Sequence, residues 1–297
     1  MAVYLDDGAV AESLRLHKAP ILERLTIKLG PHCPVNANVG KWIGNAVDRR
    51  VFVDVSSPVC LPPLKRLLLV FVVYKDDDYV VRLLSSCPIL EYLYVLQHEQ
   101  DNVTKFSVKV PSLETLIYFY RKAKVLDEED IGRSLAIDSK ILKKFFIADY
   151  STNSCSIENK PSFDKAVIYV YSYPDDKFMR SLSSVRYLEI RLSVATKPND
   201  IPPCLSTKLK IFEWKEYGAT SEEKQVLSYI LANSKCLKRA GISLKSTWKW
   251  NKKKIMKELK SMYRISTTSQ LLFSTQLEFK PLWTPFRNNV TNLKIGV

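Results

Sequence analysis

The sequence contains little glycine and lacks the loops and motifs on which many enzyme families depend. Its eight glycines form neither GxxxxGK[ST] nor GxGxxG, so no phosphate-cradling loop is predicted. HExxH and the GxSxG nucleophile elbow are also missing, which argues against zinc peptidases and α/β-hydrolases. We therefore expect a protein that is not an enzyme and that needs no cofactor and no metal ion.

Long apolar runs and cysteine pairs are missing as well. The longest apolar run, residues 67–74, has eight residues, far fewer than the roughly 20 of a transmembrane helix. Residues 1–10 carry Asp6 and Asp7 and no basic segment before an apolar core, so no secretory signal is predicted. The six cysteines form no C-x-x-C pair and are interpreted as free thiols in a reducing compartment. We thus expect a cytoplasmic or nuclear protein without membrane association.

What the chain does contain is one short pattern, apolar-x-x-apolar-x-apolar, repeated nine times. The copies begin at Leu22, Leu64, Leu90, Leu113, Leu142, Phe163, Val185, Leu209 and Leu237. Successive starts lie 42, 26, 23, 29, 21, 22, 24 and 28 residues apart. All intervals except the first match the period of leucine-rich repeats, roughly 20–29 residues. The first interval is about twice as long, so we expect one repeat to be degraded or missing there.

The second half of each copy alternates apolar and other residues, which is the period of a β-strand. Parallel strands need a crossover, and we expect one short helix per repeat to supply it. Such helices are predicted at residues 78–86, ended by Pro88, and at 39–47. The predicted fold class is α/β: a leucine-rich-repeat solenoid with a curved parallel sheet and short helices over residues 1–200.

A different unit is predicted after Ile201. Thr220 and Glu223 have the spacing of a capping box, and the helix that they open is expected to end at Asn233 and Ser234. Further predicted elements are a strand at 237–243, a helix at about 251–262 and a last strand at 270–273. We assign residues 201–274 to this strand–helix–strand–helix–strand unit, which caps the solenoid, and residues 275–297 to a C-terminal tail.

The strand register also predicts a binding surface on the open, concave side of the sheet. The residue before the second apolar position of each copy should face this side: Arg24, Arg66, Tyr92, Thr115, Lys144, Lys165, Tyr187, Ile211 and Arg239. So should the residue after it: Thr26, Leu68, Tyr94, Ile117, Phe146, Val167, Glu189, Glu213 and Gly241.

Five members of the first set are basic and five of the second are large and apolar. That mixture is typical of the core of a protein-binding surface. The alternative is that neighbouring loops cover the apolar positions. We select as candidate binding residues Arg24, Arg66, Tyr92, Tyr94, Ile117, Lys144, Phe146, Lys165, Tyr187 and Arg239.

The net charge of +14 would attract nucleic acids, acidic membranes or acidic proteins. The best nucleic-acid candidate is the WKWNKKK segment at 248–254, whose aromatic rings could stack on bases. The favoured interpretation is instead the solvated face of a helix with the tryptophans packed against the fold, because this is one short cluster and single-strand binders need a long groove. Nucleic acid is therefore the less favoured partner. The acidic runs at 76–78 and 127–130 are interpreted as helix-start or loop charges rather than as metal or acid/base sites.

Two groups of short motifs point to one family of proteins. The C-terminal unit contains CL at 204–205, LKIFEW at 209–214, EYG at 216–218, YILAN at 229–233, CLK at 236–238, IS at 242–243 and STTSQLLF at 266–273. Upstream, LLSSCPILE at 83–91 and VPSL at 110–113 stand at the junctions between repeats. In these motifs the chain resembles plant F-box/LRR/FBD proteins. The resemblance extends over residues 14–273.

The resemblance implies the substrate-binding part of an SCF-type ubiquitin ligase receptor, in which an F-box docks on a Skp-type adaptor and the repeats and FBD hold the target. No F-box helices fit into residues 1–13, so docking on the adaptor is not expected from this chain. The predicted function is a non-enzymatic protein-recognition module for a protein target. The alternatives are a basic nucleic-acid-binding protein and a truncated product without independent function.

Overall fold

The main sheet contains all nine pattern copies as parallel strands, followed by the predicted last strand. The computed structural model describes residues 24–28, 63–70, 72, 77–97, 103–120, 134–149, 154–158, 161–170, 176–192, 203–245 and 252–274. The ten strands are β1 (Arg24–Lys28), β2 (Arg66–Val70), β3 (Tyr92–Gln97), β5 (Thr115–Tyr120), β7 (Lys144–Asp149), β9 (Lys165–Val170), β10 (Tyr187–Leu192), β11 (Ile211–Tyr217), β12 (Arg239–Leu244) and β13 (Gln270–Ser274). They lie side by side in chain order, as a repeat solenoid requires. The predicted fold class is confirmed.

The long first interval of the pattern corresponds to a single step in the sheet. β1 pairs directly with β2, and Arg24 lies opposite Arg66. Among the described residues, no strand of the main sheet therefore separates the first two pattern copies, although their starts are about two periods apart. The predicted helical turn at 39–47 lies outside the described residues.

A second, three-stranded sheet corrects the prediction of one helix per repeat. Its strands are β4 (Lys105–Lys109), β6 (Ser134–Asp138) and β8 (Ser154–Ile157), paired in that order. Phe106 and Val108 of β4 and Leu135 and Ile137 of β6 are buried in the core. Segments of five residues with alternating apolar side chains satisfy strand geometry, and they are too short for a stable helix. The middle repeats therefore cross over through strands.

Five helices complete the described part of the chain. They are α1 (Asp77–Ser85), α2 (Asp176–Ser181), α3 (Pro203–Thr207), α4 (Ser221–Asn233) and α5 (Lys252–Ser261). Helix α1 packs against β4 and α2 against β8, so both flank the second sheet. The predicted helices at 78–86 and 251–262 are found within about one residue of their expected ends. No helix among the described residues is long and apolar enough to cross a bilayer.

One continuous core lies behind the main sheet. The first apolar position of each pattern copy from Leu64 to Leu237 is at most 1% exposed, and these side chains belong to a single cluster that runs from β2 to α5. The same cluster contains Trp214 and Tyr217 of β11, which are in edge-to-face contact at 5.3 Å between ring centroids. The sheet and the core thus continue without a break through the strands of the C-terminal unit.

Candidate functional site

The side of the main sheet opposite this core, here called the outer face, contains the predicted binding positions in two parallel rows. Strand pairing places Arg66, Tyr92, Thr115, Lys144, Lys165, Tyr187, Ile211 and Arg239 side by side. The second row contains Leu68, Tyr94, Ile117, Phe146, Val167, Glu189, Glu213 and Gly241. Arg24 and Thr26 begin these rows in the backbone register of β1.

An aromatic cluster occupies the middle of the outer face. Ile117, Phe146, Ala148 and Val167 are buried there, and Tyr92, Tyr94, Phe119, Tyr169 and Tyr187 pack around them while partly exposed. This cluster is separate from the main core. The predicted residues Tyr92, Tyr94, Ile117, Phe146 and Tyr187 are brought together in it.

Four rings of the aromatic cluster form a continuous line across β3, β5, β7 and β9. The ring centroids are 5.6 Å apart for Tyr94 and Phe119, 4.8 Å for Phe119 and Phe146, and 5.3 Å for Phe146 and Tyr169. These separations are in the range of favourable aromatic pairs. Burial raises the pKa of the Tyr94 hydroxyl to about 12, so Tyr94 is neutral at physiological pH.

Two members of this line were not among the predicted binding residues. Phe119 and Tyr169 lie two residues beyond the second row, on the same side of their strands. The sequence was sufficient to predict both residues, because alternate side chains of a strand lie on the same side of the sheet. The six-residue pattern ends one position earlier, and extending it by one residue would have included both rings.

A polar cluster adjoins the aromatic line on β9 to β12. Glu189 is 4% exposed and Glu213 is fully buried, and the two carboxylates lie opposite each other in neighbouring strands. The Tyr169 hydroxyl donates to Glu189 Oε1. The Tyr187 hydroxyl lies 2.7 Å from Glu189 Oε2 and 2.5 Å from Glu213 Oε2. Because a hydroxyl has one proton, Tyr187 can donate to only one carboxylate at a time.

Three basic side chains, Lys165, Lys215 and Arg239, interact electrostatically with these carboxylates. Arg239 Nη2 lies 3.2 Å from Glu213 Oε1, and the Lys165 ammonium sits 4.0 Å from the centre of the Tyr187 ring. Burial raises the pKa of Glu213 above its usual value, and the neighbouring charge of Glu189 adds to the increase. Burial lowers the pKa of Lys165. The polar cluster therefore fixes Tyr187 and Arg239 in place on the outer face.

Of the remaining candidate cations, Arg66 and Lys144 are exposed on β2 and β7, whereas the side chain of Arg24 lies outside the described part of the chain. Lys144 lies beside Lys165 of the next strand. The outer face thus combines a partly exposed aromatic centre with basic side chains on both sides. Within the described residues no group of acidic, histidine or cysteine side chains could hold a metal ion.

The other sequence candidates are only partly described. Residues 127–130 and 248–251 lie outside the described residues. Asp78 is exposed in the first turn of α1, and Lys253 and Lys254 are exposed in the first turn of α5. Cys87 and Cys204 are buried thiols, and burial raises the pKa of Cys204 to about 12, which makes Cys204 unreactive.

Comparisons with known proteins find two family models in the chain and several relatives that extend over most of it. The model of the FBD family matches residues 197–242, and the Leucine Rich Repeat model matches residues 64–88. A putative F-box/FBD/LRR-repeat protein of Arabidopsis thaliana is 37% identical over 380 aligned positions, which cover 92% of this chain and 80% of the relative. A putative FBD-associated F-box protein of the same plant is 34% identical, with 88% and 83% covered. No solved structure matches.

Proposed function

The chain belongs to the F-box/FBD/LRR-repeat family of plant proteins, and from this membership we propose that it is a non-enzymatic module that binds a protein target on its outer face. Leucine-rich repeats stack into extended surfaces of the kind that bind proteins. The observation that carries the proposal is the line of four contacting rings from Tyr94 to Tyr169. Three of them, Tyr94, Phe119 and Tyr169, are partly exposed on the side of the sheet away from the core.

The chemistry of this face suits a protein ligand. Tyrosine and other aromatic residues dominate the energetic centres of protein interfaces, because they bury a large area and lose few rotamers. The exposed cations Arg66 and Lys144 lie beside the rings and would steer a partner of opposite charge. The Tyr187 hydroxyl lies between two carboxylates and can donate to either of them, which reduces the ordering that binding would require.

The target-binding part of an SCF-type ubiquitin ligase receptor is the specific role that we propose for this module. Its support is family membership, since the names of the relatives contain both F-box and FBD. In that role the outer face would hold the target, and the chain would act in the cytoplasm or nucleus. A chain that binds targets without reaching the Skp-type adaptor would act instead as a decoy.

The test is affinity capture from plant extract with the full chain, compared with two matched variants. Tyr94→Ala combined with Phe119→Ala removes two rings of the line, whereas Tyr263→Ala removes an aromatic ring that is 69% exposed elsewhere. We expect specific proteins to be retained by the unaltered chain and by the Tyr263 variant and lost from the double variant. Retention of the same proteins by all three would overturn the assignment of the outer face.

Two further arms of this experiment address charge and the ligase. Charge reversal at Arg24, Arg66, Lys144, Lys165 and Arg239 should weaken capture if these cations border the bound target. Mass spectrometry for a Skp-type adaptor and a cullin then separates the roles. Recovery of both supports a ligase receptor, and recovery of targets alone supports a decoy.

A further inference from the structure

The residues that precede the strands of the main sheet from β2 to β12 form a third row, along the edge where these strands begin. Its members are Lys65, Glu91, Glu114, Lys143, Asp164, Arg186, Lys210 and Lys238. Backbone hydrogen bonds hold the row in register: the amide of each residue from Glu91 onward donates to the carbonyl of the preceding member, at 2.8–3.2 Å. Neighbouring members are therefore about one strand spacing apart, roughly 4.8 Å.

The first six members of this row neutralise one another. Lys65 pairs with Glu91 at 3.3 Å, Lys143 with Glu114 at 2.7 Å and Arg186 with Asp164 at 3.9 Å. Opposite charges on neighbouring strands stabilise a sheet slightly, whereas like charges in the same positions destabilise it. The charges in this part of the edge are thus balanced within the chain.

The last two members of the row break this arrangement. Lys210 and Lys238 are adjacent, and the Lys238 amide lies 2.8 Å from the Lys210 carbonyl. Two more lysines, Lys208 and Lys235, stand on the turns that precede these strands, and the turns touch through Cys236 Sγ and the Thr207 carbonyl oxygen, 3.4 Å apart. We call these four lysines the basic edge.

All four lysines of the basic edge are exposed, and none of them takes part in an ion pair with another described residue. The position that continues the row before β13 is the neutral Ser269, since Gln270, the first residue of β13, lies opposite Arg239. Lys208 and Lys235 follow the ends of α3 and α4, where a cation is favoured by the helix dipole. That reason does not apply to Lys210 and Lys238, because both precede strands.

The basic edge is part of a wider concentration of charge. Residues 203–274 contain fifteen Lys and Arg against five Asp and Glu, a net charge of +10 out of +14 for the whole chain. Neighbouring like charges that nothing in the fold requires are a cost to stability, and a partner of opposite charge removes that cost. The structure thus provides a site for an anionic ligand at one edge of the sheet.

We propose that the basic edge binds an extended, Asp- and Glu-rich segment of a protein partner. A protein is favoured because the edge is continuous with the outer face: Arg239 directly follows Lys238 and is bonded there to Glu213. The rings of the outer face pack on one another, whereas proteins that bind single-stranded nucleic acid present ring faces to the bases. The inference goes beyond the proposed function, since it concerns four residues outside the outer face.

The test measures fluorescence anisotropy of a labelled peptide of about eight alternating Glu and Ser residues, which spans roughly 25 Å when extended. The full chain is compared with the Lys210→Glu, Lys238→Glu double variant. Lys253→Glu with Lys254→Glu is the matched control, because it makes the same change of net charge on the exposed first turn of α5. Circular dichroism and thermal melting verify that each variant is folded.

We expect the edge variant to weaken peptide binding by about tenfold or more and the α5 variant by less than about twofold, because a fixed site responds to local charge. Equal weakening by both variants would show general attraction to a basic protein and overturn the proposal, as would a peptide that does not bind at all. The last part of the experiment measures the binding of a single-stranded DNA that has the same charge as the peptide. If it binds more tightly than the peptide and shows the same dependence on Lys210 and Lys238, the edge is a nucleic-acid site.

Discussion

At the scale of single residues, the main departure from sequence expectation is the pair of carboxylates on the outer face. Glu189 and Glu213 occupy positions that are apolar in the preceding repeats, such as Phe146 and Val167. A buried carboxylate is tolerated only where donors surround it, and here Tyr169, Tyr187 and Arg239 supply them. The sequence pattern placed both residues on this face but gave no sign that they would be buried together.

The raised pKa of Glu213 leads to a prediction about stability and pH. An acid whose pKa is higher in the folded chain binds more protons folded than unfolded, so its contribution to stability rises as pH falls. We expect the free energy of unfolding of the unaltered chain to increase relative to that of Glu213→Gln as pH drops from neutral toward 4.5, the ordinary glutamate value. Urea unfolding of both proteins across this range measures the difference.

Subtracting the Glu213→Gln data removes the effects of the shared titrating groups that do not interact with Glu213. Glu222→Gln serves as a control, because that carboxylate is exposed and its pKa is lowered by hydrogen bonds to its own backbone amide, Ser221 and Thr220. Its variant should not reproduce the same trend with pH. A constant difference between the unaltered chain and Glu213→Gln would contradict the raised pKa of Glu213.

At the scale of elements, the beginning of α4 is the most completely specified local structure in the chain. The Glu223 amide donates to Thr220 Oγ1 at 3.2 Å, and the Thr220 amide donates to Glu223 Oε2 at 3.1 Å. This reciprocal pair satisfies two of the amides that a helix leaves open at its start. The predicted capping box is confirmed, because its two members are close in sequence and need no tertiary information.

Thr220→Ala should lower the free energy of unfolding by about 1 kcal/mol, the typical value for loss of a capping side chain. Ser221→Ala, one residue further on, is the matched control, because its hydroxyl bonds only to the exposed Glu222. That variant should stay within about 0.5 kcal/mol of the unaltered chain. Chemical denaturation monitored by circular dichroism measures both, and equal effects of the two substitutions would count against the capping assignment.

The strands of the main sheet were predictable and those of the second sheet were not, for a physical reason. Nine strands of the main sheet follow an apolar residue at a fixed position of the pattern, such as Leu90 before β3. The nine copies therefore support the same prediction of a strand. β4, β6 and β8 follow no common motif, since their sequences are KFSVK, SLAID and SCSI. Their partners are 20 or more residues away, and pairing at that distance depends on the register already set by the main sheet.

The candidate site was likewise predictable only in part. Strand periodicity gave the two rows of the outer face, because it requires only that alternate residues share a side. It could not give the contacts between rings such as Phe119 and Phe146, or the grouping of Tyr187 with two carboxylates. Those depend on which side chains lie opposite one another across strands, and hence on loop lengths that the pattern does not fix.

At the scale of the whole molecule, one sheet and one core extend through both the repeats and the C-terminal unit. β10 pairs with β11 from Tyr187 to Ile190, and the same core cluster contains Ile168 of β9 and Trp214 of β11. In a solenoid each repeat is stabilised by its neighbours, so a defect in one repeat lowers the stability of the next. The two parts of the chain on either side of residue 201 therefore need not unfold separately.

Because the core is continuous, we predict that a destabilising substitution in β9 also shifts the unfolding transition reported by Trp214. Trp214 is fully buried and becomes the single fluorescent reporter when Trp42, Trp248, Trp250 and Trp283 are changed to Phe. In that background Ile168→Ala, at a fully buried position, should destabilise the protein by about 2–5 kcal/mol. The midpoint of urea unfolding should shift equally when followed by Trp214 fluorescence and by circular dichroism, because both report the same cooperative unit.

Ile141→Ala is the matched control, because it removes the same atoms from a side chain that is 46% exposed, and it should change stability by less than about 0.5 kcal/mol. If Ile168→Ala instead shifts the circular dichroism transition and leaves the Trp214 transition in place, residues 201–274 unfold as a domain of their own. A partner held by both parts would then join two separately stable units. Coincident transitions mean that the outer face and the basic edge belong to one rigid surface, so that a target held by the rings is presented to the lysines at a fixed distance.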